Sequence, residues 1–175
     1  MSSIFKERNF EQPKSFKFSV SNLKKANEYI KKYPEGKQRS AVMPLLYLAQ
    51  EQHDNWIPFA AMNYIAELLD MPAIQVYEVA NFYTMFNKRP VGKYLIQVCR
   101  TTPCMLRGAK DITKVCKKKL NIELGETTED NQFTLVEVEC LGACVAAPLV
   151  QINNEYHENL TPESMEKLID KLKKK

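Results

Sequence analysis

The stretch YLIQVCRTTPCMLRGAKDITKVCKKKL, residues 94–120, decides the reading of this chain. It opens on an apolar run, residues 94–98, of the length and composition of a strand. Cys99 follows directly, and four residues separate it from Cys104. Pro103 then introduces a helical pattern predicted over 104–120, with Ile112, Val115, Cys116 and Leu120 on one face. Further on, Gly125 and the polar, acidic residues up to Gln132 read as a loop, and residues 133–138, with Phe133, Leu135 and Val136, as a second strand. A third strand is predicted over 148–152. Asn153-Asn154 is a two-residue hairpin signal leading to a short strand at 155–157. Thr161 caps a last helix with Glu163 in its first turn and Met165, Leu168, Ile169 and Leu172 along one side.

Upstream the pattern is helical. Residues 1–20 lack periodicity and read as an extended arm. Ser21 is placed to cap a helix reaching Tyr33, which Pro34-Glu35-Gly36 ends. Further helices are predicted over 38–52, where Pro44 interrupts the pattern, after Pro58, and after Asp70, whose side chain is placed as the cap. Lys88-Arg89-Pro90 marks the change of pattern. The chain therefore reads as a mixed α+β or α/β protein. A helical bundle over 21–90 precedes a β-α-β-β-β-α domain over 91–175, the element order of a thioredoxin-like fold.

Composition narrows the chemistry. Among 175 residues only 5 are glycine, and neither GxGxxG nor GxxxxGK[ST] occurs, so no nucleotide loop is recognisable. The net charge of +4 is a weak argument for nucleic acid. The N-terminus shows no apolar core of signal-peptide length, and no run approaches the ~18 apolar residues of a membrane span. A reducing compartment is the expected setting, where cysteines serve metals or redox chemistry more often than disulfides.

Four of the 5 cysteines form two close pairs, Cys99 with Cys104 and Cys140 with Cys144, each on a loop directly after a predicted strand. Two such loops at one sheet edge bring four soft thiolates toward one place, and that donor set selects zinc or an iron–sulfur cluster. Structural zinc sites use shorter spacers more often, while the longer spacers here leave room for a two-iron rhomb with one pair on each iron. Gly142 lets its loop approach closely, and Cys104 is predicted at a helix start, where free N–H groups favour anionic sulfur. Arg100 and Arg107 are candidates for added positive charge, or for plain solvated arginines. Cys116 falls on the apolar stripe of its helix and reads as core. His53 and His157 have no cysteine or carboxylate at ligand spacing.

The segments VCRTTPCMLRGAKDI and ETTEDNQFTLVEVECLGACVAAPLVQIN, with the helical IPFAAMNYIAELLDMPAIQVYEVANFYTMFN, are similar to the small [2Fe-2S] subunit of NADH:quinone oxidoreductase, respiratory complex I. In bacteria this family forms the E subunit of the complex, and in mitochondria it is called flavoprotein 2. The resemblance runs across almost the whole chain, and all four family ligands have counterparts: Cys99, Cys104, Cys140 and Cys144. It implies one [2Fe-2S] cluster that exchanges an electron with FMN on the adjacent NADH-binding flavoprotein subunit. NADH and FMN would be bound by that partner, with the larger iron–sulfur subunit of complex I nearby. It implies peripheral attachment at the cytoplasmic face of a bacterial inner membrane, or the matrix side for a mature organellar protein. The same module occurs in NAD-linked hydrogenases and formate dehydrogenases, and a zinc-stapled interaction domain is the alternative of another class. Tyr77, Phe82, Tyr83, Met85 and Phe86 form an aromatic-rich segment expected to contribute to docking.

Overall fold

Ser19, not Ser21, starts the helical part of the chain. In the computed structural model, which describes residues 5–6 and 9–174, α1 (Val20–Ile30) begins after Ser19, whose Oγ accepts the Asn22 N–H at 3.2 Å. Ser21 only exchanges a hydroxyl contact with Ser19, at 3.0 Å. Ser19 wins the cap because its own N–H is anchored on Gln52 Oε1 at 2.9 Å, and the Gln52 amide donates back to the Lys17 carbonyl at 2.8 Å. The helix stops short of Tyr33, since the N–H groups of Lys32 and Tyr33 donate to carbonyls three residues back and tighten the chain into a turn.

A 3₁₀ turn at Gln38–Ala41 leads into α2 (Val42–Gln52). Pro44 lies in the first turn of α2, where its missing N–H forfeits no helical bond. α3 (Phe59–Leu68) and α4 (Ala73–Phe82) follow. Asp70 does not cap α4. It has φ +48 and its N–H closes the end of α3 by donating to the Glu67 carbonyl, so Pro72 takes the N-cap position. Leu45, Leu46, Ile57, Met62, Ile65 and Val76 are fully enclosed at the centre of these helices. The arm packs on them. Phe16 and Phe18 meet Tyr64 edge-on at 5.9 and 5.5 Å, and Phe10 meets Trp56 at 5.5 Å.

A separate unit is built from residues 91–174 together with 5–6, while residues 9–90 make up the helical one. Its sheet has the order β2-β1-β3-β4, with β1 (Tyr94–Cys99), β2 (Phe133–Val138), β3 (Val150–Ile152) and β4 (Glu155–His157). β1 and β2 are parallel, and the other two pairings are antiparallel. β1 is interior to the sheet and buries Leu95, Ile96, Val98 and Cys99. β3 begins later than predicted because Pro148 has no N–H to give a ladder. The helix predicted over 104–120 is two helices, α5 (Thr102–Leu106) and α6 (Ala109–Leu120), divided at Gly108, which takes φ +96. α7 (Pro162–Lys173) starts at Thr161 as predicted, in a reciprocal capping box with Ser164. α6 packs on β1, β2 and α7. No helix among the described residues is long and apolar enough to cross a membrane.

Candidate metal centre

The parallel pairing of β1 and β2 fixes the site. Cys99, the last residue of β1, stands opposite Val138, the last of β2, and the Arg100 N–H donates to the Val138 carbonyl at 3.0 Å. Both strands therefore release their chains at the same edge. The β1 loop turns into α5 and carries Cys104 in its first turn, while Cys140 leaves β2 two residues past Val138 and Cys144 opens a 3₁₀ turn, Cys144–Ala146. Cys99 and Cys104 are fully buried, and Cys140 and Cys144 are exposed.

Within the second pair the sulfurs are 3.7 Å apart. A tetrahedral metal with sulfur bonds of ~2.3 Å holds two sulfurs ~3.8 Å apart, so this pair fits one metal without rearrangement. Among the described residues, no three His, Cys, Asp or Glu side chains close around a single ion. The four thiols fall along the chain as two pairs, Cys99 with Cys104 and Cys140 with Cys144.

The surroundings favour anionic sulfur. The Gly142 N–H points at Cys140 Sγ, 3.4 Å away, and Gly142 reaches that position with φ +84. Thr101 Oγ1 lies 3.3 Å from Cys99 Sγ. Burial pushes the Cys99 thiol up, but the Thr101 hydroxyl, the Thr101 and Leu141 backbone and Cys104 together hold it below the ordinary thiol range. Burial, with Cys99 next to it, pushes Cys104 up. Cys140 is held low by the Gly142 N–H first, then by Cys144 and Thr101, and Cys144 is raised chiefly by Cys140. In each pair one thiol is low and its neighbour high, as when two close thiols share a proton.

The other candidates separate cleanly. Cys116 is wholly buried on α6, and burial pushes its thiol up to about 12. The Arg100 guanidinium binds Glu139, with Nε 3.0 Å from Oε1. Arg107 is exposed at the C-cap of α5. His53 stacks edge-on against Trp56, with ring centroids 4.7 Å apart. His157 is on β4, paired with Val150. Two contributors escaped the sequence reading. The Leu141 loop is tethered by the Tyr156 hydroxyl, which donates to the Leu141 carbonyl at 2.7 Å, and Thr101 reaches sulfur. A threonine two residues after a candidate ligand was the available signal for the latter. Of the aromatic segment, Phe86 is buried and Met85 packs on the core, while Phe82 is 78% exposed and Tyr83 is also open.

Residues 26–173 match the family of thioredoxin-like [2Fe-2S] ferredoxins. The chain belongs to this family. Its cofactor is accordingly one [2Fe-2S] cluster, and the paired thiols fit that group. The chain is 60% identical over 158 residues to the E subunit of the NADH-quinone oxidoreductase of Rickettsia conorii, covering 90% of this chain and 95% of that protein. It is 51% identical over 158 residues to a mitochondrial NADH dehydrogenase [ubiquinone] flavoprotein 2 of Dictyostelium discoideum, covering 90% of this chain and 64% of that one. Among solved structures, a crystal structure of an NAD+-reducing [NiFe]-hydrogenase in the H2-reduced state matches with a TM-score of 0.65 at 21% identity. It covers 75% of this chain and 22% of the hydrogenase chain. At that identity the likeness is one of fold, and it agrees with the mixed sheet described above.

Proposed function

We propose that the chain is the electron-carrying E subunit of an NADH-quinone oxidoreductase and that Cys99, Cys104, Cys140 and Cys144 ligate its [2Fe-2S] cluster. When bound, the cluster supplies a one-electron centre that exchanges an electron with FMN on the adjacent NADH-binding flavoprotein subunit. The chain's own residues hold and set this centre. Cys99 and Cys104 would hold it from the buried edge of the sheet, and Cys140 and Cys144 from the exposed second loop. The Gly142 N–H donates to Cys140 and favours its thiolate. The observation that carries this reading is the convergence of two thiol pairs at the joint end of β1 and β2, in a chain spanning 95% of a relative that bears this name. The larger iron–sulfur subunit is the other expected neighbour, and the cytoplasmic membrane face the expected location.

Exposed apolar side chains lie on both ligand loops: Leu106 is 77% and Val145 100% exposed. They suit the face turned to the flavoprotein. Anaerobic isolation of the tagged chain from cells expressing the whole complex tests the assignment. Recovery with a flavin-containing, NADH-oxidising partner in stoichiometric amount is expected. Recovery of the chain free of flavoprotein, while the complex assembles without it, would overturn it.

A further inference from the structure

The Thr101 hydroxyl has a position that its place in the helix does not account for. Thr101 is the N-cap of α5, and a threonine there ordinarily turns its hydroxyl onto the N–H of the second or third helical residue. In this chain the side chain makes no such bond. Its Oγ1 lies instead 3.3 Å from Cys99 Sγ, within reach for a hydrogen bond to sulfur. Thr101 is half-buried, so bulk water does not compete freely for it. With Cys99 wholly enclosed, an O–H donor beside its sulfur works in a medium of low dielectric, where its field is felt strongly.

We propose that Thr101 is a positioning residue for the electron-transfer step, its hydroxyl donating to the ligand sulfur of Cys99 and raising the reduction potential of the bound centre. A hydrogen bond to a ligating sulfur stabilises the more negative, reduced form more than the oxidised one. Removing it shifts the balance toward oxidation. The hydroxyl moves no proton and no electron. It biases an equilibrium that the ligands already define. This inference rests on the ligand assignment above.

The test is an EPR-monitored redox titration of the full chain carrying its cluster, in the wild type and as Thr101→Val and Thr101→Ser. Valine keeps the shape and removes the donor, while serine keeps the donor. Thr101→Val is expected to lower the potential by up to the equivalent of a tenfold change in the reduction equilibrium, about 59 mV for one electron. Thr101→Ser is expected to return most of it. Exchange into deuterated buffer should show, by electron–nuclear double resonance, a coupled deuteron that is present in the wild type and Thr101→Ser and missing in Thr101→Val. Equal potentials in wild type and Thr101→Val would overturn the proposal, as would equal shifts in both variants. A Thr101→Val chain that folds but retains no cluster would overturn it too, because the hydroxyl would then be a structural prop. Cys99→Ser separates this from the underlying assignment: an unchanged native signal in that variant defeats the ligand set itself.

Discussion

Cys116 shares its chemistry with the four paired cysteines but not its setting. It is enclosed on the apolar face of α6, and burial there keeps its proton on. Its thiol moves from 9.0 to about 12 in the folded chain. The native state therefore holds this proton over a range in which the unfolded chain releases it. The stabilising contribution is complete below pH ~9 and is lost as pH rises from there toward 12, by up to ~1.4 kcal/mol per pH unit. The advantage of the wild type over Cys116→Ala in urea midpoint should accordingly shrink between pH 8.5 and 11. A constant difference would contradict this. A Cβ at Gly92 would stand 2.7 Å from the Phe133 backbone carbon and 2.8 Å from its nitrogen, where nothing can yield cheaply. Gly92→Ala is expected to cost ~1–3 kcal/mol of stability, read as a lowered denaturation midpoint, and an unchanged midpoint would refute the close approach. The stripe that places Cys116 in the core is written in the sequence at i, i+3 and i+4. The approach at Gly92 is not, since it joins Gly92 to Phe133, a residue far along the chain.

Elements were legible where a local rule acted alone. Thr161 announces α7 because its hydroxyl and Ser164 satisfy each other within one turn. Thr161→Ala should cost about 1 kcal/mol, measurable by thermal or chemical denaturation, and no loss would deny the box. The same rule misplaced α1 and α4. At α1 two serines compete, and a distant residue, Gln52, settles the matter by anchoring Ser19. At α4, Asp70 is still occupied in closing α3. The division of α5 from α6 at Gly108 was hidden too, because a single glycine after Arg107 does not interrupt an apolar stripe that resumes at Ala109 and Ile112. That division matters for the site: it gives Cys104 a short helix of its own and sets Thr101 at its start. Cysteine spacing showed which residues to pair, while the common end of β1 and β2 that brings the pairs together is a property of the sheet.

For the molecule as a whole, two separate cores follow from two kinds of pattern. The helical unit encloses Leu45, Leu46 and Ile65, and the sheet unit encloses Ile96, Leu135 and Ile169. All four paired cysteines lie in the sheet unit. Residues 91–175 expressed alone are therefore expected to fold and to hold a cluster with the spectrum of the full chain. That fragment loses the partly solvated Lys6–Glu126 ion pair, a small contribution, and the Lys6 N–H bond to the Gly125 carbonyl. A fragment that stays unfolded, with the full chain intact, would show that the two units depend on each other. Iron, sulfide and zinc analysis with EPR after dithionite, on anaerobically purified wild type and single Cys→Ser variants, decides whether these four thiols, and not Cys116, bind a two-iron centre. The wild type is expected to give a [2Fe-2S] signal with two irons and two sulfides per chain. The same is expected of Cys116→Ser, and a lost or altered signal of Cys99→Ser, Cys104→Ser, Cys140→Ser and Cys144→Ser. A colourless wild type with one zinc and no signal, or a signal destroyed by Cys116→Ser, would contradict this assignment.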